Sequence, residues 1–250
     1  MTRLKSFLPL ALAFVVSNTQ AQTKPAANNK PATATKDASA IPSLNFEYAL
    51  NDPFKARIYT LKNGLKVYMS VYKNAPRIQT YIAVKAGSKN DPATATGLAH
   101  YLEHMVFKGT DKFGTKDYVK ESAEITKIEN LYEVYRQTKD ETERKKIYHQ
   151  IDSVSGVAAK YAIANEYDKM LAGIGGQGTN AFTSFDQTVY VNDIPSNQLE
   201  NFLKIEAERY RKPVLRLFHT ELEAVYEEKN RGLDNDNSKL WEAIFSGLFK

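Results

Sequence analysis

The chain has 250 residues and no cysteine. Disulfides, thiolate metal ligands and a cysteine nucleophile are therefore excluded, and any metal must be held by histidine and carboxylate. Histidine is scarce too, occurring four times. Charge of one sign is nowhere gathered into a block. The net excess of +5 is spread among interleaved acids and bases, so no nucleic-acid footprint is present. Long apolar runs are also lacking. The longest, residues 7–16, has about half the ~20 residues needed to span a bilayer, so no stable membrane anchor is expected. What remains is 42% hydrophobic and 25% charged, a composition that allows one large globular domain or two small ones.

The apolar run follows Arg3 and Lys5 and precedes Thr19 and Ala21. A basic start, a short apolar core and small residues at the exit predict a secretory signal over residues 1–21, cleaved after Ala21. No cysteine follows, so no lipid anchor is expected. The predicted location is outside the cytoplasm, in the periplasm of a Gram-negative bacterium or secreted. Residues 22–50 open with Pro, Ala, Asn and Lys without apolar periodicity and read as a disordered linker and entry arm to an ordered region over 51–250.

Within that region, Asn63-Gly64 between β-rich runs predicts a hairpin of 57–61 with 65–72, and residues 77–86 alternate as a third strand. From about 116 to 170 charge rises and apolar residues recur at helical spacing: Ile125, Ile128, Leu131 and Tyr135, then Ile147, Ile151 and Val154. This predicts a helical hairpin turning near 139–142. A second strand pair follows at 180–184 and 188–191, then helices at 196–210 and 218–231 and a third from 238. Strands and helices in blocks predict an α+β fold, an antiparallel or mixed sheet packed against helices.

Chemistry concentrates at residues 97–110, GLAHYLEHMVFKGT, where His100, Glu103 and His104 stand in the order H-x-x-E-H. On a helix these three project from one side. Two imidazoles one turn apart can share a Zn²⁺, and a neighbouring carboxylate can accept a proton from activated water. A helical histidine pair also occurs as a surface cap or a satisfied core pair. Here the pair lies in an amphipathic helix, with Leu98, Leu102, Met105 and Val106 as its apolar stripe, an N-cap region at 94–96 and a closing Gly109. A third ligand is needed, and the helix TELEAVYEEKN supplies candidates. Glu221 and Glu228 share a face with Ala224 and Val225, whereas Glu223 and Glu227 point away. The helical wheel leaves Glu221 and Glu228 tied.

Several ordered motifs now bear on the tie. TLKNGLKVY, AVKAGS, GLAHYLEHMVFKGT, GTNAFTS, TVY and the glutamates before Lys229 resemble the N-terminal catalytic region of the pitrilysin/insulinase family of zinc metallopeptidases, which includes mitochondrial processing peptidases. The resemblance implies zinc on His100, His104 and Glu228, one ion per chain, with Glu103 as general base. Glu221 becomes a supporting carboxylate behind a ligand. Asn180 and Ala181 fall on the strand where an extended peptide is expected to add. The implied activity is zinc-dependent endopeptidase action on peptides or unfolded polypeptides. The alternative is a non-catalytic family paralogue, a binding or assembly subunit. The helical segment at 116–170 reads as an insert, since the spacing from His104 to Glu228 exceeds the family's usual one by about its length. About 22 residues follow Glu228, so the resemblance implies an incomplete N-terminal peptidase domain: the expected partner is a C-terminal half or a partner subunit of the same family, and the fragment alone is expected to be inactive.

Overall fold

The computed structural model describes residues 45–248, without the side chain of residue 233, and the backbone of residues 10–16. The expected cleavage point at Ala21 and most of the expected linker lie outside the described residues.

One mixed sheet of seven strands organises the chain, in the order β2-β3-β4-β1-β5-β7-β6. β2 (Glu47–Tyr48) pairs with β3 (Arg57–Thr60), and β3 pairs with β4 (Lys66–Val71), each antiparallel. The β3–β4 turn is the one expected at Asn63-Gly64. The Asn63 side chain accepts from the Leu65 amide at 3.1 Å, and Gly64 takes φ +86°, where a side chain would be strained. β5 (Arg77–Val84) runs antiparallel to β7 (Thr188–Pro195) along its whole length, and β7 then pairs with β6 (Gln177–Thr183) at the sheet's edge.

β1 (Leu10–Val16) lies between β4 and β5, parallel to the first and antiparallel to the second. These residues belong to the run expected to be the core of a signal segment, where the sequence reading placed no strand. An uncharged run of seven suits a central strand as well as it suits an export segment, so composition does not separate the two. Among the described residues no helix is long and apolar enough to cross a membrane.

The helices described are α1 (Leu98–Val106), α2 (Tyr118–Gln137), α3 (Glu141–Ala159), α4 (Glu166–Gly173), α5 (Leu199–Arg211), α6 (Phe218–Leu233) and α7 (Asp236–Leu248). Among them α1, α4 and α5 pack against the sheet, α2 and α3 pack on each other, and α6 lies between α1 and α7. The main core joins Ile78 and Ile82 of β5 and Tyr190 and Ile194 of β7 to Phe113, Tyr167, Leu171 and Phe202. Alternation along β5 and β7 turns these residues to one face, which is why the strands could be read from sequence.

The expected helical hairpin is α2 and α3. Asp117 and Asp140 cap the two starts by accepting from the amides of Lys120 and Glu143. Ile147 and Ile151 are buried along the seam. Arg144 reaches back over the turn to the carbonyls of Tyr135 and Thr138, closing the α2 end. The hairpin stops at Ala159. α4, expected as part of it, is a separate helix entered through Asn165 in the left-handed region at φ +55°.

Two buried ion pairs tie these layers together. Arg209 and Glu206 of α5 are bonded at 2.5 Å, Tyr167 of α4 donates to Glu206 at 2.7 Å, and the guanidinium lies 4.3 Å from the centre of the Tyr167 ring. Arg216, just before α6, pairs with Glu121 of α2 at 2.8 Å and donates to the carbonyls of Lys108 and Thr110, each at 2.6 Å. It thereby fastens the exit of α1, the start of α2 and the entry to α6 at one point. Gly114 makes room for it. A Cβ there would stand 2.7 Å from an Arg216 nitrogen, and the backbone is at φ +83°.

Candidate metal centre

α1 is held between the β6–β7 ribbon and α6. It begins at Gly97, in the left-handed region at φ +90°. Thr94 and Thr96 do not cap it, contrary to expectation. Asp91 does so from the preceding loop, accepting from the amides of Gly97 at 2.7 Å and Ala99 at 2.8 Å. A carboxylate there also complements the helix's positive end.

The apolar stripe is rotated from the expected one. Leu98 and Leu102 are exposed, whereas Tyr101 and Met105, one turn apart, are buried against Val225 of α6. The reason lies in the partner: α6 crosses α1 along the Tyr101–Met105 line, and the Tyr101 hydroxyl donates to the Phe218 carbonyl at 2.5 Å. Burial raises the Tyr101 pKa, keeping this hydroxyl protonated as a donor.

This crossing brings together residues 117 or more positions apart. The Nε2 atoms of His100 and His104 lie 3.2 Å from each other, and each lies 3.5 Å from a carboxylate oxygen of Glu228. All three donor atoms fall within 4.8 Å of one another. Donors about 2.0–2.1 Å from a tetrahedral ion stand ~3.3 Å apart, so this set fits a zinc ion. His100 and Glu228 keep substantial solvent exposure, which suits a site with an open position more than a closed structural one.

Glu221 takes a different place. It accepts from His104 Nδ1 at 2.9 Å, on the side of the ring away from the donor cluster, and from the Lys108 ammonium at 2.6 Å. The hydrogen bond to Glu221 raises the His104 pKa, and the same bond holds the Glu221 carboxyl below its ordinary value. A proton fixed on Nδ1 leaves the Nε2 lone pair facing His100 and Glu228. The pair left tied by the helical wheel is thus separated by position: Glu228 with the Nε2 atoms, Glu221 behind one ring.

Glu103 is buried, with 6% of its surface exposed. It turns toward β6, where Thr183 donates to its Oε2 at 2.5 Å. Asn180 and Ala181 lie on the same edge strand, Asn180 exposed and Ala181 half-buried against the main core. Tyr101, Lys108 and Thr183 stood in quoted motifs but were given no role of their own. Lys108 had a signal, since it follows His104 by one helical turn. Thr183 stood in a quoted motif, but its partner could not be read from spacing.

The family described as Insulinase (Peptidase family M16) matches residues 67–139 and 153–247. The interruption covers the N-cap Asp140 and the first part of α3. Among characterised proteins, the chain is 35% identical over 104 residues to the probable mitochondrial-processing peptidase subunit beta of Arabidopsis thaliana, covering 41% of this chain and 19% of that one. It is 27% identical over 184 residues to insulin-degrading enzyme of Mus musculus, covering 73% of this chain and 13% of the other. Among solved structures, a protease from Helicobacter pylori shares 26% identity at a TM-score of 0.49, covering 72% of this chain and 32% of that one. The chain therefore spans less than a fifth of the length of either of these characterised relatives.

Proposed function

Because this chain belongs to the insulinase family, peptidase family M16, we propose that it carries the catalytic metal site of a zinc-dependent endopeptidase acting on peptides or unfolded polypeptides. The observation that supports this reading is the convergence of His100, His104 and Glu228 beside Glu103. In the proposed site the two Nε2 atoms and the Glu228 carboxylate hold one zinc ion. Bound there, zinc supplies Lewis-acid activation of water and of a peptide carbonyl.

The chain's own residues do the rest. Glu221 keeps His104 in the tautomer that presents Nε2, and Lys108 neutralises the charge Glu221 brings. The Glu103 carboxylate takes the proton of the attacking water and returns it to the leaving amine. β6, the edge strand among the described residues, with Asn180 and Ala181, offers backbone groups to an extended peptide, which would add as a further strand. Substrate grip from the other side is assigned to a C-terminal half or a partner subunit of the same family. Export is part of the proposal, on the strength of residues 1–21. Processing after Ala21 would take β1 out of the sheet.

Zinc content by atomic emission tests the metal site. The expected result is about one zinc per chain, with Glu228→Gln weakening or abolishing binding. Wild-type protein that unfolds cooperatively yet takes up no zinc would instead indicate a non-catalytic binding subunit.

A further inference from the structure

The one side-chain hydrogen bond that joins the edge strand to the H-x-x-E-H helix runs, among the described residues, from Thr183 to Glu103. Its direction is fixed by the neighbouring hydroxyl. Thr188 lies 3.4 Å away, but its hydrogen goes to the Ala86 carbonyl at 2.9 Å. Thr183 therefore has its own hydrogen free for the carboxylate, and a carboxylate acting as a base must be the acceptor.

The two oxygens of Glu103 are treated differently. Oε2 takes the Thr183 hydrogen bond. Oε1 has no hydrogen bond among the described residues. One oxygen is pinned and, among the described residues, the other takes no hydrogen bond. The donor itself is rigidly placed: Thr183 is in register with Thr188, and the turn beyond is closed by the Ser184 amide to the Gln187 carbonyl at 2.8 Å. A short hydroxyl on a fixed backbone leaves the carboxylate little rotational freedom.

We propose that Thr183 is a positioning residue for Glu103, fixing the carboxylate with Oε1 toward the water it deprotonates and tying its orientation to the strand that receives the substrate. This rests on the reading of Glu103 as general base. The residue acts through Glu103 and touches neither metal nor scissile bond. Thr183→Val keeps the shape and removes the donor, whereas Thr183→Ser keeps the donor on a freer side chain.

The test uses the full chain loaded with Co²⁺ in place of zinc, comparing wild type, Thr183→Val, Thr183→Ser and Glu103→Gln. All four should bind about one Co²⁺, because the proposed ligands are untouched. The visible absorption of Thr183→Val should depart from wild type in the same direction as that of Glu103→Gln, with Thr183→Ser close to wild type. On an internally quenched peptide, with the chain completed by its family partner half, kcat should fall about 10- to 100-fold in Thr183→Val with KM within twofold, and recover to within about threefold in Thr183→Ser. Bound Co²⁺ with a Thr183→Val spectrum identical to wild type, while Glu103→Gln differs, overturns the role of Thr183 alone. Failure of wild type to bind Co²⁺ overturns the metal-site reading and this proposal with it.

Discussion

Two charged clusters lie on either side of the α1 exit, and they are built in opposite ways. In one, Arg216 and Glu121 are both almost wholly buried, their charges cancel, and each guanidinium nitrogen has an acceptor. In the other, two imidazole nitrogens and a carboxylate oxygen, each able to offer a lone pair, face one another with solvent at hand. The first cluster is complete without a ligand. The second, in the proposed function, is completed by a cation. Hydrogen-bond completeness, more than burial, separates a structural charge cluster from a candidate site.

The contrast is broken most severely at Arg216. Arg216→Met leaves Glu121 charged in the interior and strips the carbonyls of Lys108 and Thr110 of their donor. The expected loss is about 3–5 kcal/mol in urea denaturation, with much of it recovered when Glu121→Leu is added. A loss below about 1 kcal/mol would mean that the pair is replaceable and the contrast overstated.

Glu221 sharpens the comparison, because it serves the open cluster in the manner of the closed one. Glu221→Gln removes its charge but not its bulk. It should weaken zinc binding about 10- to 100-fold, measured by competition with a chromogenic chelator, while the chain remains folded. Unchanged affinity would reduce the His104 contact to a surface hydrogen bond.

The smallest expected effect is one of pH on the metal-free chain. His104 has a raised folded pKa, so its contribution is full below the ordinary histidine value and is lost as pH rises through the raised one. Glu221 has a depressed pKa, so its contribution is full above the ordinary carboxylate value and is lost as pH falls through the depressed one. The pair is strongest between about pH 4.5 and 6.5. The stability advantage of wild type over Glu221→Gln should be greatest there and shrink toward about pH 9, as followed by denaturant midpoints. An advantage that grows with pH would reverse the assigned partners.

Much of this arrangement was legible because it is local. His100, Glu103 and His104 fall within two turns of one helix, and the β3–β4 and β6–β7 hairpins carry their own turn residues. The tie between Glu221 and Glu228 could not be broken by the helical wheel, because both lie on the face of α6 that meets α1. The family resemblance assigned Glu228 as the ligand, and the placement of α6 separates the two in space. Asp91 displaced Thr94 and Thr96 as the cap because a loop carboxylate reaches the helix end from six residues upstream. Leu98 and Leu102, expected in the apolar stripe, are exposed because amphipathicity gives a stripe's width, while the crossing partner decides its centre. The contacts of Thr183, Lys108 and Arg216 span distant parts of the chain and left no periodic trace.

The helical hairpin has a kinetic consequence. His104 and Glu221 meet across 117 positions of chain, and closing so long a loop is an entropic obstacle to assembling the cluster. α2 and α3 occupy residues 118–159 and fold back on each other through nearby contacts. Once formed, they shorten the disordered path between the two halves of the site to the segments on either side. A hairpin lying between the two halves of the site thus need not slow the meeting of α1 and α6, provided it zips first. Gly substitutions along its outer face should then slow refolding more than they hasten unfolding, which stopped-flow measurements would read directly.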